Sequence, residues 1–321
     1  MDALPAAEDP TRMFGHLRPR LHGIAYRMLG SVAEAEEVVQ DAWLRWHDAQ
    51  VDPPDNAQAW LVTVTARLAI DRLRAAKVQR EHYSGIWLPE PMLTHGHTEP
   101  ATDSPEALLE RADDVSVAFL MLLERLSPEA RAAFLLREVF DMDYPDVARM
   151  VGKAEPACRQ LVSRAKKQLA EERPRYRVSP DVHHRLLSGF AHAVTRGDFG
   201  TLQSMLAEDA ELTGDGGGKV ISFPKPLHGG KRIAQLFYAS HRRLHERQRV
   251  ELVRLNGEWG LLRFIDGVLE SAQTYVTDGQ RILRVHVQRN PDKLARIAAA
   301  VTRQAGGASC GGGTFPSTPQ E

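Results

Sequence analysis

The sequence predicts a multi-domain protein, with two all-α units followed by one α+β unit. Three observations carry this. Apolar residues recur at helical spacing from Phe14 to about Arg80, and again from Asp113 to Glu172. From Val250 to Arg289 the pattern changes to short runs rich in Val, Ile, Leu and Thr. These runs are divided by Asn256-Gly257, Asp266-Gly267 and Asp278-Gly279, dipeptides that favour tight hairpins. Between the helical blocks, residues 81–112 hold Pro89, Pro91, Pro100 and Pro105 with little apolar periodicity, which reads as a linker. A chain of 321 residues has room for two to three cores.

In the first unit, residues 1–80, Leu17, Leu21, Ile24, Ala25, Met28 and Leu29 share one helix face, stopped by Gly30. Ser31 caps a second helix with the apolar side Val32, Ala35, Val38, Val39, Ala42 and Trp43, and Pro53-Pro54 breaks it. Trp60 opens a third, with Leu61, Val64, Leu68 and Leu73 inward. The linker carries one apolar island, Trp87-Leu88-Pro89-Glu90-Pro91, whose exposure in a polar segment is unfavourable and calls for a docking site.

The second unit, residues 113–173, starts with a helix to Leu126. Ser127-Pro128 then gives a cap and a first-position proline for a helix to Val139. A short helix (Tyr144 to Met150), a turn at Val151-Gly152 and a long basic helix (Glu155 to Glu172) have the layout of a helix-turn-helix. The third unit, residues 180–294, holds a helix from Val182 to Thr195 and a second to about Ala207. A third helix, Arg232 to Leu244, precedes a four-stranded antiparallel meander. Residues 303–321 are rich in Gly, Ser, Thr and Pro and are expected to be disordered.

No apolar run approaches the ~20 residues that span a bilayer, and the polar start lacks an apolar signal region. With only two cysteines, no disulfide framework is implied, so a cytoplasmic setting without membrane association is expected. A formal net charge of −1 argues against a purely electrostatic DNA binder. The charges are nonetheless segregated. Six acids face one Arg45 between Ala33 and Asp52, five bases face Asp71 from Arg67 to Arg80, and seven bases face Glu171 and Glu172 from Arg159 to Arg177.

The long basic helix presents Arg159, Gln160, Ser163, Arg164 and Lys167 on one side, with Leu161, Val162, Ala165 and Leu169 available to a core. Arg suits bidentate contact with guanine, Gln suits adenine, and Lys suits phosphate. A merely solvated basic face is the plainer reading, and the preceding short helix and Gly turn tell against it. Cys158 on this helix reads as a packing residue. His95 and His97 in the linker lack a companion ligand set, and His183-His184 point about 100° apart on a helix, so no metal is expected. Nor is a cofactor.

Two blocks resemble extracytoplasmic-function sigma factors of the sigma-70 family. Ala35-Glu36-Glu37-Val38-Val39-Gln40-Asp41-Ala42-Trp43, with Trp60-Leu61-Val62-Thr63-Val64-Thr65-Ala66-Arg67-Leu68-Ala69-Ile70-Asp71-Arg72-Leu73-Arg74, looks like their region 2. Leu126-Ser127-Pro128-Glu129-Ala130-Arg131 through Arg164-Ala165 looks like region 4. The resemblance implies a monomeric, non-enzymatic promoter-specificity subunit that joins core RNA polymerase at its β′ clamp helices and β flap. The acidic helix would dock there, with Glu36, Gln40 and Asp41 as acceptors and Val39, Trp43 and Leu44 as apolar anchors. The Trp60 helix would bind the melted −10 element, with Arg67, Arg72 and Arg74 on phosphates and Thr63 and Asp71 on an extruded base. The basic helix of region 4 would read the −35 element.

The third unit resembles the SnoaL-like cone fold, from Gly197-Asp198-Phe199 followed by Leu202, Leu206, Asp209 and Ala210. A subgroup of these sigma factors carries such a fusion, and its three short motifs occur here: Trp87 to Pro91, Asp215-Gly216-Gly217-Gly218-Lys219, and Asn290-Pro291-Asp292-Lys293-Leu294. By that resemblance the domain regulates the sigma factor in cis through Trp87, Leu88, Pro89 and the two later motifs. The Asp215 segment, read from its residues alone, also suits a phosphate loop or a catalytic acid. The competing reading is therefore a ligand sensor or isomerase-like enzyme tethered to a DNA-binding region.

Overall fold

The structure, a computed structural model, describes residues 10–49, 54, 56–81, 83–94, 115–172 and 178–308. Three helices open the chain: α1 (Pro10–Leu29), α2 (Val32–Asp48) and α3 (Ala57–Glu81). They close a bundle around Leu21, Ile24, Met28, Val38, Leu61 and Ile70. Trp46, four residues beyond Ala42, is the tryptophan that reaches this core, packing on Trp60 with ring centroids 5.8 Å apart. Trp43, expected on the apolar side of α2, is half-buried against Phe14 at 4.8 Å.

Among the described residues, four helices follow: α4 (Val117–Leu123), α5 (Pro128–Glu138), α6 (Tyr144–Val151) and α7 (Glu155–Glu172). Ser127 accepts a hydrogen bond from the Ala130 amide, so the Ser-Pro start of α5 is used as its sequence indicates. Gly152 closes α6 and turns the chain into α7. Cys158, Val162, Ala165 and Leu169 form the buried side of α7.

The two helical units share one continuous apolar core. Arg131, fully buried, donates to the Arg27 carbonyl at 3.0 Å and pairs with Glu124, which also receives Arg80 from α3. Arg67 donates to the Arg149 carbonyl of α6 at 3.0 Å, and Arg74 pairs with Glu129 of α5 at 2.9 Å. The flank of α3 expected to face DNA lies against the second helical unit.

The third unit is the expected α+β cone: α8 (Pro180–Arg196), α9 (Phe199–Met205), β1 (Leu206–Asp215), β2 (Leu227–His228), α10 (Gly230–Leu244), β3 (Gln248–Leu255), β4 (Glu258–Ile265), β5 (Val268–Thr277), β6 (Ile282–Gln288) and α11 (Pro291–Ala308). The sheet runs β2-β1-β6-β5-β4-β3. The meander is antiparallel as expected, but β1 is a long strand paired parallel to β6, where the sequence suggested the end of a helix and a loop. Asn256-Gly257 and Asp266-Gly267, all at positive φ, make the two tight hairpin turns.

Phe190, Phe237 and Tyr275 fill the cone with edge-on aromatic contacts. On the other sheet face, α11 lays Leu294 and Ile297 over Leu262, Phe264 and Ala272. That apolar side continues to Val301, and the helix runs to Ala308, past residue 303 where the sequence suggests a disordered tail. The remaining tail from 309, and the linker from 95 to 114, lie outside the described residues.

Candidate functional site

The three short motifs meet at one carboxylate. Asp215, the last residue of β1, is fully buried. One oxygen accepts from the Tyr83 hydroxyl (2.7 Å) and the Gly217 amide (2.9 Å). The other accepts from the Leu88 amide (3.0 Å), Gln288 Nε2 (3.3 Å) and Lys293 Nζ (2.7 Å). Lys293 also donates to the Leu88 carbonyl at 2.6 Å and lies over the Trp87 ring at 4.2 Å. Burial pushes the Lys293 ammonium down while Asp215 opposes that fall, and burial together with Asp215 pushes the Tyr83 phenol up.

The Gly run is explained by crowding. Gly217 sits at φ +62°, and a Cβ there would run into the Asn290 amide. That amide donates to the Tyr83 hydroxyl (3.1 Å), and its oxygen caps Asp292 N at the start of α11 (3.1 Å). Lys219 pairs with Asp292 at 2.5 Å. Of the residues expected in the regulatory set, Trp87, Leu88, Asp215, Gly217, Lys219, Asn290 and Lys293 are brought together directly, while Leu294 belongs to the core under α11.

The linker island is held from the region 2 side as well. Gly30, at φ +67°, leaves room for Trp87, whose ring would stand 2.8 Å from a Cβ. Arg80 stacks on the same ring at 3.7 Å and donates to the Leu29 carbonyl at 2.8 Å. Glu90 accepts from the Val32 amide (2.8 Å) and Ser31 Oγ (3.2 Å), so the linker caps α2. Burial raises the Glu90 carboxyl, and the amides of Val32 and Ala33 oppose that rise. Tyr26, Glu90, Asn256 and Met92 then join in series: Tyr26 donates to the Glu90 carbonyl (2.8 Å), and Asn256 donates to the Tyr26 hydroxyl (2.7 Å) and accepts from the Met92 amide (2.9 Å). Tyr26 and Tyr83 had no signal in the sequence beyond residue type, and Asn256 was marked only as a hairpin turn, since their partners here lie far away along the chain.

The expected polymerase-facing residues lie on or beside a groove between α1 and α2 of about 430 Å³, lined by Phe14, Glu36, Val39, Gln40 and Trp43. Leu44 is 54% exposed, whereas Val39 is largely buried in its own domain. Glu36 receives a forked pair from Arg296 of α11 (2.7 Å for one arm), and Asp41 pairs with Arg72 at 2.9 Å. Among the expected −10 residues, Thr63 bonds its own helix at Ala59 (2.7 Å) and Asp71 pairs with Arg74. Arg67, Arg72 and Arg74 are all engaged within the protein. Arg159, Gln160, Ser163, Arg164 and Lys167 are all exposed on α7, with Arg159 held by Glu155 (2.6 Å) over the Tyr144 ring.

No group of three or more His, Cys, Asp or Glu among the described residues is placed to hold a metal ion. His183 is buried and its imidazole pushed down by burial, while His184 lies tilted against Trp259 with ring centroids 4.5 Å apart. His95 and His97 lie outside the described residues. Among the described residues, no helix is long and apolar enough to cross a membrane.

An exposed basic helix-turn-helix, a helical bundle with a groove beside its acid-rich second helix and a clamped cone domain define a multi-domain DNA-binding protein of transcription. Residues 13–78 match sigma-70 region 2, and residues 116–169 match sigma-70 region 4. The chain is 39% identical over 227 residues to the ECF RNA polymerase sigma factor SigJ of Mycobacterium tuberculosis, covering 69% of this chain and 70% of that one. A probable ECF sigma factor, SigI of the same species, is 28% identical over 284 residues, or 88% and 93% of the two chains. The crystal structure of SigJ superposes with a TM-score of 0.69 at 31% identity, over 89% of this chain and 98% of that one. The chain belongs to the ECF RNA polymerase sigma factors.

Proposed function

We propose that this sigma factor directs core RNA polymerase to promoters, and that its SnoaL-like domain regulates it in cis by stabilising a closed form. The observation that carries the regulatory reading is the buried Asp215, which ties the linker, β1 and α11 into one clamp. Two consequences of the same arrangement support it. Arg67 and Arg74 of α3 are spent on the second helical unit, and Arg296 occupies Glu36 on the polymerase-facing helix. Opening would release both surfaces. Promoter recognition would then use Thr63, Arg67, Asp71, Arg72 and Arg74 at the −10 element and the exposed α7 residues at the −35 element.

The family is not one of enzymes, and Asp215 fits poorly as an acid or base for an external substrate. All its lone pairs face internal donors, and it is closed to solvent. The test is run-off transcription with purified core polymerase. Chains ending at Arg289, Trp87→Ala chains and Arg296→Ala chains should each give more promoter-specific transcript than the intact chain. Unchanged transcription in all three would reject regulation by the clamp while leaving promoter direction intact.

A further inference from the structure

The cone encloses a cavity of about 420 Å³ that none of the proposed DNA or polymerase contacts uses. That volume is typical of small-molecule sites. Much of its wall is apolar: Leu212 and Val287 from the sheet, Phe237 and Leu244 from α10, and Ile265 from β4. One end is cationic. Arg263, whose side chain is 15% exposed, forks onto Glu270 (2.6 and 2.8 Å) and donates to Ser240 Oγ (2.9 Å). Arg289 pairs with the second Glu270 oxygen at 2.5 Å. Arg243 stands on the same wall and has no partner among the described residues.

Two guanidinium groups thus pair with a single carboxylate, and a third, Arg243, lines the same partly desolvated cleft. Burial alone would raise Glu270, but Arg263 and Arg289 hold it below the ordinary carboxylate range, so it stays ionised and positive charge remains in excess. At the rim, Ser222 Oγ is buried without a hydrogen-bond partner in the described structure. Ile221 beside it is 90% exposed. The site has a place for an anion, a spare hydroxyl donor and an apolar body.

We propose that this cavity binds a small amphipathic carboxylic acid. Its carboxylate meets Arg243 and the Arg263–Arg289 pair, and its apolar part lies against Phe237 and Leu244. A guanidinium presents two parallel N–H donors that match a carboxylate, and a neutral guest leaves that match unused. The cavity also adjoins the clamp in sequence: Gly214 and Arg289 line it, and Asp215 and Asn290 come next. Binding does not depend on the cis-regulation reading, because it is measured without polymerase or DNA.

Calorimetry on the full chain tests it, with octanoate as the probe and 1-octanol as its neutral match. Octanoate should bind at least about tenfold more tightly than 1-octanol, the size of one charge-assisted contact. Arg243→Gln, at an exposed position without a partner, should weaken octanoate about tenfold and leave 1-octanol unchanged. Ala239→Trp, also at an exposed position on the cavity wall, should abolish both while circular dichroism stays that of the parent. Equal affinity for the two probes, no octanoate binding at millimolar concentration, or undiminished binding in Ala239→Trp overturns the proposal.

Discussion

Asp215 and Lys293 form an ion pair whose side chains are 0% and 11% exposed, a setting in which removal of one partner strands the other charge. Asp215→Ala should therefore cost about 3–5 kcal/mol of stability in urea titration. Asp215→Ala with Lys293→Met should recover part of that loss, since the stranded ammonium is gone but the Leu88 and Gly217 amides still lack their acceptor. A double variant no better than the single one would mean that the amides, not the charge, dominate. His286 supplies a second test. It is buried beside Thr213, with Nδ1 2.8 Å from its hydroxyl, and burial, aided by Arg284, pushes its pKa down to about 4. Its contribution is complete above the unfolded value of about 6.5 and fades as pH falls toward 4, by on the order of 3 kcal/mol. His286→Gln should flatten that acid limb of the stability curve. At this scale the sequence was partly legible. The three motifs marked Asp215 and Lys293, but nothing local marked Tyr83, and the hairpin signal at Asn256 said nothing of its clamp role; those roles depend on residues 132 and 230 positions away.

The helices announced themselves through 3.6-residue periodicity, caps and Gly or Pro stops, which are all local signals. The helix-turn-helix is the clearest case, and its outward set on α7 is exposed as read. Arg159→Ala or Arg164→Ala should cost about 1–3 kcal/mol on a matched −35 element and little on a scrambled one. Lys167→Ala should weaken both alike and reduce the salt slope by about one. Equal losses on both sequences for the two arginines would make them phosphate contacts instead. β1 was not legible, for a physical reason. Its register shifts between Leu206 and Glu211, so burial along Leu206 to Asp215 does not alternate, and its parallel partner β6 lies about seventy residues on. A strand broken by a bulge and paired non-locally leaves no period-2 trace. The same limit hid Trp46: its neighbour Trp43 fits the helical stripe nearly as well, and only the packing of α3 decides which turns inward.

At the scale of the molecule, the proposed regulation requires that the closed form cannot span a promoter. The −10 and −35 elements lie about 25 base pairs apart, or about 85 Å of duplex. Here α3 touches α5 and α6 at hydrogen-bond distance, and one core runs through both helical units. On the proposed reading the units separate for promoter binding, and the contacts that hold them converge on Arg80. It stacks on Trp87 of the clamp, bonds the Leu29 carbonyl in region 2 and pairs with Glu124 in region 4, with its side chain 18% exposed. Arg80 is thus where the cone domain's hold on the linker reaches the contact between the two DNA-binding units. Arg80→Ala should leave each unit folded, because Glu124 keeps Arg131 and the apolar core is untouched. It should shift the free chain toward the open form. Energy transfer between dyes on Ala75→Cys and Ala170→Cys, both exposed positions outside the proposed DNA contacts, reads this directly in a Cys310→Ser background, Cys158 being buried. Transfer should be high in the otherwise unaltered chain, lower with Arg80→Ala, and lowest with core polymerase and promoter added. Promoter-specific run-off should rise in the same order for the two chains. Low transfer in the unaltered free chain would reject the closed form itself. Unchanged transfer in Arg80→Ala would instead place the hold elsewhere, on Arg131 and the shared core.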